Sequence, residues 1–225
     1  MDDRLSLACS LYDPCELGAD IGTDHGLLPA ALLQGGICRR MILTDISPSA
    51  LENARGEMIR CRLLPRVSLR LGDGLAPLEE ACGMISIMGM GGRTIRDILL
   101  AGADRLRGAS LLLSAHTDLP LIRQTVQEIG YHLDREEPVL SAGRFYLLFR
   151  ARPGAHPLSP QALRLGDRLF SSASPLLRPY LARRREILSE RLAGLLRADT
   201  PDAAQIRICQ EDLAFYDAFL KEEPS

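Results

Sequence analysis

A chain of 225 residues, 46% hydrophobic and 25% charged, has the composition of a globular protein with enough length to bury a substantial core. Its formal charge of −2 does not announce a nucleic-acid binder, no apolar run approaches the roughly 18 residues of a membrane span, and the opening MDDRLSLACSLYD carries acids where a secretory leader carries bases. Six scattered cysteines, with no Cys-x-x-Cys pair and none at ligand-like spacing from a histidine, argue for reduced thiols used as small apolar residues and against a metal site, so a cytoplasmic chain is expected.

In chain order the pattern alternates helices with short β-rich runs, the signature of parallel strands joined by crossover helices. An opening helix is predicted near Leu5–Tyr12, then strands at Leu17–Asp20, Met41–Asp45, Val67–Leu71, Met84–Met88 and Ala109–Ser114, with helices at Leu27–Gln34, Ser49–Leu63, Arg93–Ala101 and Leu119–Ile129. Two extended runs, YHLDREEPVL and RFYLLFRA, flank Ser141-Ala-Gly143 and predict an antiparallel hairpin at one sheet edge. Three prolines between Arg152 and Pro160 mark a break and the expected domain limit, 1–152 against 153–225. Beyond it, a linking helix near Gln161–Phe170 is followed by stripes of Leu181, Leu188, Leu192, Leu195 and of Ile206, Cys209, Leu213, Tyr216, Leu220, which suit an antiparallel two-helix coil turned at Asp199–Asp202. The expected fold is therefore α/β, a Rossmann-like, mostly parallel sheet of the methyltransferase kind with an antiparallel edge hairpin and a helical coiled-coil appendage.

The first strand runs into GADIGTDHGLLPA, a glycine turn before a helix, where a nucleotide commonly sits. The second glycine of a dinucleotide loop is replaced by Asp24, which repels a pyrophosphate but favours a ligand with cationic groups and no phosphate. S-adenosylmethionine has that chemistry. Asp45, at the end of the second strand, is placed to accept from ribose hydroxyls, and Asp73, in LGDG after the third strand, from an adenine amine. After the fourth strand, Gly89, Gly91 and Gly92 surround Met90 and lie where a flat ring or a backbone must pass close by. Within 160–200 eight arginines face four acids, a modest basic patch.

The motifs ADIGTDHGLLP, LGDGL, MGMGGRTIRDIL, TDLPLIRQTVQEIGY and GRFYLLFRA, in this order and ahead of a helical coil, resemble the bacterial tRNA adenine-22 N1-methyltransferase family, TrmK. The resemblance implies S-adenosylmethionine-dependent methylation of adenine N1 in the D-arm of tRNA. Carried over by position, it implies that Asp20, Gly22, Thr23, Asp24 and His25 form the cofactor turn. Asp45 is then expected at the ribose, Gly72, Asp73 and Gly74 at the adenine, and Ile46 and Gly89 beside the cofactor. Met90, Gly91 and Gly92 are expected to face the substrate base, Asp24 and His25 to assist catalysis, and Arg164, Arg168, Arg183, Arg184 and Arg185 to grip the tRNA backbone. The chain departs from the family pattern at Leu27, where an aromatic residue is usual, and at Ser114-Ala-His116, where the family tends to have QPN. The expected partners are tRNA and neither metal nor membrane, in a monomer or weak homodimer. Two rival readings keep the same fold: a methyltransferase acting on a small molecule or protein, and a non-catalytic RNA-binding module with a vestigial pocket.

Overall fold

The computed structural model describes residues 2–198 and 200–222. The chain divides into two compact units, one ending at Leu169 and one beginning at Phe170. In chain order the elements are α1 (Asp3–Leu11), β1 (Cys15–Ile21), α2 (Leu27–Gln34), β2 (Cys38–Asp45), α3 (Pro48–Arg60), β3 (Val67–Leu71), β4 (Met84–Met90), α4 (Gly92–Ala101), β5 (Ser110–Ala115), α5 (Leu119–Glu128), β6 (Tyr131–Ser141), β7 (Arg144–Pro153), α6 (Pro160–Leu165), α7 (Leu177–Leu196) and α8 (Ala203–Lys221).

The first unit is built on one seven-stranded sheet of order β3-β2-β1-β4-β5-β7-β6. Strands β1 to β5 run parallel, and β7 is antiparallel to both β5 and β6. The centre of such a sheet is covered on both faces, which is why β5 reads Ser-Leu-Leu-Leu-Ser-Ala without alternation and is buried at every residue. Leu32, Leu33, Met41, Leu43, Met58, Met84 and Leu148 share one core cluster between sheet and helices. Local chemistry fixes the helix starts. The Ser47 side chain accepts from the Ala50 N–H ahead of Pro48, and Ser159 does the same for Ala162 ahead of Pro160. At the predicted hairpin, Ala142 and Gly143 both take positive φ, the backbone that a two-residue turn needs to follow the strand twist.

The predicted linking helix over Gln161–Phe170 is instead short. It stops at Leu165 and is followed by a single 3-10 turn over Arg168–Ser171. The cause lies beneath it. Arg123 of α5 and Glu136 of β6 form an ion pair at 2.7 Å, exposed by only 2% and 0%. The second Glu136 oxygen accepts from the backbone N–H groups of Asp167, Arg168 and Leu169 at 3.0–3.2 Å. To pass over the pair the chain turns at Gly166, with φ of 106°, where a Cβ would come within 2.9 Å of the guanidinium and 3.0 Å of the carboxylate. The first unit runs past Arg152 to Leu169, and these contacts lie within it.

In the second unit, α7 and α8 run antiparallel. Arg191 donates to Gln205 at 2.9 Å, Arg185 pairs with Asp217, and Arg178 donates to the Leu220 carbonyl, so one number falls as the other rises. Cys209 and Tyr216 are buried, and Leu188, Leu192, Leu195, Ile206, Leu213 and Leu220 half-buried, as the two apolar stripes require. Phe170 packs edge-on to Phe215 and Phe219, with centroids 5.0 and 5.1 Å apart. Asp199 of the expected turn lies outside the described residues; Asp202 caps α8 by accepting from Ala204 and Gln205.

Removing the acid of the buried pair strands a guanidinium. Glu136→Ala is expected to destabilise the first unit by about 3–5 kcal/mol, read as a lower urea midpoint, and to speed hydrogen exchange at the amides of Asp167–Leu169.

Candidate functional site

The carboxyl ends of β1, β2, β3 and β4 open into one cavity of about 570 Å³, within the range of small-molecule sites. All eleven residues expected at the cofactor line it: Asp20, Gly22, Thr23, Asp24, His25, Asp45, Ile46, Gly72, Asp73, Gly74 and Gly89. Met90 lines it too. The turn after β1 is pinned to β2 by the Gly22 and Thr23 N–H groups, which donate to the Thr44 carbonyl at 2.8 and 3.1 Å. Asp24 stands in the left-handed region with φ of 46°, a conformation that Asp tolerates better than most side chains. The place where a glycine is usual is thus a true left-handed position. The Asp24 N–H donates to Asp45 Oδ2 at 3.3 Å and the Ser47 N–H to Asp45 Oδ1 at 2.9 Å, so backbone donors hold the Asp45 carboxylate in place.

Asp20 is the buried acid of the set, 6% exposed. Burial pushes its carboxyl up to about 6, opposed by the Ser86 hydroxyl, which donates to Asp20 Oδ1 at 2.6 Å, and more weakly by the nearby Thr23 hydroxyl. Beside it Thr23 is equally buried, and its hydroxyl oxygen has no partner in good hydrogen-bonding geometry among the described residues. A buried carboxylate and a buried hydroxyl side by side, in a wall carrying four more aspartates, suit a ligand bearing an ammonium, hydroxyls and an amine. Asp24 and His25 differ from Asp20. Their side chains are 68% and 65% exposed and lie 3.6 Å apart at the rim.

The glycines after β4 divide by role. Gly89 is the extra residue of a bulge between Met88 and Met90, and a Cβ there would meet open space. Gly91 and Gly92 do not line the cavity. They start α4, and a Cβ on Gly92 would collide with the Thr117 carbonyl at 2.7 Å, so the backbone that passes close by is the β5–α5 loop rather than a substrate. Met90 instead folds back over the cofactor turn, its methyl filling the place that a Cβ on Gly22 would take.

The wall also contains residues that the sequence did not single out: Asp2, Arg4, Leu5 and Ala8 from α1 and its cap, and Thr94 and Ile98 from α4. Leu27 lines the cavity and is 55% exposed. His116 does not line it; its ring packs edge-on to Tyr146 and its backbone N–H donates to the Met90 carbonyl at 2.9 Å.

The five arginines are carried by different elements of the two units. Arg164 lies on α6 and Arg168 on the 3-10 turn of the first unit, with Arg168 near Asp167 at 3.5 Å. Arg183, Arg184 and Arg185 lie on α7, where three consecutive residues fan around the helix. Arg183 pairs with Glu186 at 2.9 Å and Arg185 with Asp217, so part of the local charge is already met. No helix among the described residues is long and apolar enough to cross a membrane, and no group of histidines, cysteines and acids among them is arranged to hold a metal ion.

A family model described as a methyltransferase domain matches residues 1–149. The tRNA (adenine(22)-N(1))-methyltransferase of Bacillus subtilis strain 168 is 30% identical over 167 residues, covering 73% of this chain and 68% of that protein. A Streptococcus pneumoniae protein proposed to be a tRNA (m1A22) methyltransferase superposes with a TM-score of 0.87 at 25% identity, over 98% of this chain and 99% of that one. A structure of the same pneumococcal protein in complex with S-adenosyl-L-methionine superposes with a TM-score of 0.83 at 25% identity, over 96% and 98% of the two chains. The acid-lined strand ends and these likenesses agree, and the chain belongs to the tRNA (adenine(22)-N(1))-methyltransferase family.

Proposed function

We propose that this chain transfers the methyl group of S-adenosylmethionine to N1 of an adenine in the D-arm of tRNA, at position 22. The observation that carries the reading is the row of aspartates at three successive strand ends around one cavity, in a chain of this family. Asp20, sealed and short of partners, meets the ammonium of the cofactor; Asp45, its carboxylate fixed by two backbone donors, meets the ribose diol; Asp73, between Gly72 and Gly74, meets the adenine amine. The cofactor supplies a sulfonium methyl.

Adenine N1 carries an in-plane lone pair and attacks without first losing a proton, so the protein has to align and dry the reactants more than to move protons. The Gly89 bulge and Met90 bound the place where the base enters. Asp24, at the rim on a fixed left-handed backbone, faces the positive charge that develops on the methylated base, and His25 beside it orients the base. N1 is on the pairing edge, so the base leaves its stack to react, at a cost of a few kcal/mol that phosphate contacts elsewhere offset. Arg164, Arg168, Arg183, Arg184 and Arg185 serve that purpose, and the enzyme works in the cytoplasm, where its substrate is.

Incubation of the purified chain with unmodified tRNA and S-adenosylmethionine, followed by mass-spectrometric mapping, is expected to place one methyl on adenine N1 at position 22; a methyl on any other atom overturns the assignment. Replacing Arg183, Arg184 and Arg185 together by Gln is expected to weaken tRNA binding at least tenfold at low salt, with cofactor affinity unchanged in titration calorimetry. The slope of log affinity against log salt should flatten by about 0.9 for each phosphate the protein no longer neutralises. For Asp20 the sign follows from its raised value. Between about pH 4 and pH 6 the folded state holds a proton that the unfolded chain has released, so stability falls as pH rises through this window and stays lowered above it. Asp20→Asn should abolish that fall, stabilise the empty protein at pH 7.5 by up to about 3 kcal/mol, and weaken S-adenosylmethionine binding at least tenfold.

A further inference from the structure

Cys15 opens β1 and Cys38 opens β2, and the two are direct partners in the parallel ladder, although 23 residues separate them in sequence. Both are free thiols, with sulfurs 3.4 Å apart. Neighbouring strands stand about 4.8 Å apart, inside the roughly 4.4–6.8 Å between Cα atoms that a disulfide spans, so closing the sulfur gap by about 1.4 Å asks for side-chain rotation rather than a shift of the backbone. Glycines leave the room. A Cβ on Gly83, just ahead of β4, would come within 2.6 Å of the Cys15 Cβ, and one on Gly18 within 3.1 Å of the Cys38 sulfur.

The two thiols are not equivalent. Cys38 is fully buried and Cys15 half-buried, so an oxidant in solution reaches Cys15 first. The Cys38 thiol, donating to the Cys15 sulfur, and the Met84 N–H hold the Cys15 thiol below its usual value, and the same bond between the sulfurs, with burial, pushes Cys38 up. Burial pushes the thiols of Cys9, Cys61 and Cys82 up as well. One sulfur is therefore suited to attack and its neighbour to resolve. We propose that Cys15 and Cys38 form a redox site, oxidised by a small hydroperoxide to a disulfide that ties β1 to β2 and returned to the dithiol by thiol reductants. In the first step the Cys15 thiolate attacks a peroxide oxygen: an S–O bond forms, the O–O bond breaks, and the departing hydroxide takes up the proton that Cys15 released and leaves as water. In the second the Cys38 sulfur attacks the Cys15 sulfenic acid: the S–S bond forms, the S–O bond breaks, and the Cys38 proton leaves with the hydroxyl as a second water. The two thiols lose two electrons and the peroxide gains them. Neither cysteine lines the cavity, so the proposal does not rest on the cofactor reading.

The test treats the folded full chain with hydrogen peroxide, blocks the remaining thiols with iodoacetamide, and digests after acidic residues. Asp13 separates Cys9 from Cys15, and Glu16, Asp20 and Asp24 separate Cys15 from Cys38. Mass spectrometry is expected to find the Cys15 and Cys38 peptides joined with the loss of two hydrogens, and dithiothreitol to release them. In Cys38→Ala the Cys15 sulfenic acid lacks its resolving thiol and should be trapped by dimedone; in Cys15→Ala the Cys38 thiol should stay reduced. The disulfide should raise the thermal midpoint of the unsubstituted chain, because it closes a loop in the unfolded state, and peroxide should give Cys38→Ala no such rise. Both thiols still free after peroxide, Cys15 joined to any other cysteine, a covalent dimer through Cys15, or Cys9 or Cys61 oxidised ahead of Cys15 would each overturn the site. So would a midpoint that fails to rise, because the bond would then distort the strands rather than join sulfurs that the fold already holds together.

Discussion

A carboxylate withdrawn from water needs compensation, and at Asp20 the fold supplies only the Ser86 hydroxyl at hydrogen-bonding distance, with the Thr23 hydroxyl beside it. The rest of the site can be understood from that deficit. Asp20 lies in a central strand with neighbours on both sides, so its backbone cannot retreat, and the turn after it is tied to the next strand through the Thr44 carbonyl. What remains adjustable is the occupant of the cavity. A positive group set against Asp20 relieves the deficit; a phosphate aggravates it. The replacement of a glycine by Asp24 in the same turn adds to this bias, although Asp24, exposed at the rim, contributes less than a sealed charge does.

Glu136 provides the contrast within the same unit. It is as deeply buried as Asp20, but each of its oxygens is occupied, one by Arg123 and the other by three backbone N–H groups. A fully satisfied buried acid has nothing left to offer a ligand. It organises instead, joining α5, β6 and the chain leading to residue 169 into one unit. Two buried carboxylates in one domain thus reach opposite ends, and the difference is the number of donors each is given.

Much of the first unit was legible because its signals are local. The strand and helix runs, the Ala142-Gly143 turn, and the acids at strand ends each depend on residues within a few positions of one another, and all eleven expected cofactor residues line one cavity. The misreadings come from contacts between distant segments. Gly92 resembles Gly89 in sequence, but one backs onto the loop after β5 and the other faces open space. The helix expected to run to Phe170 is cut at Gly166 by an ion pair whose members lie some thirty to forty residues earlier. Arg4 had no local mark at all: its place in the wall depends on Tyr146 and on a bond between Asp2 and Ser141. The run Arg183-Arg184-Arg185 looks concentrated in sequence, but the helix spreads it and two of its members are paired.

The Met90 methyl resting over Gly22 ties together two loops that are far apart in sequence. They share one steric slot, so neither position is free to vary alone. A side chain at 22 has to evict the thioether, and a branched residue at 90 would press on the turn. Divergence at either position would therefore be expected to come as a compensated double change, and a library that randomises one of them singly would sample mostly broken sites.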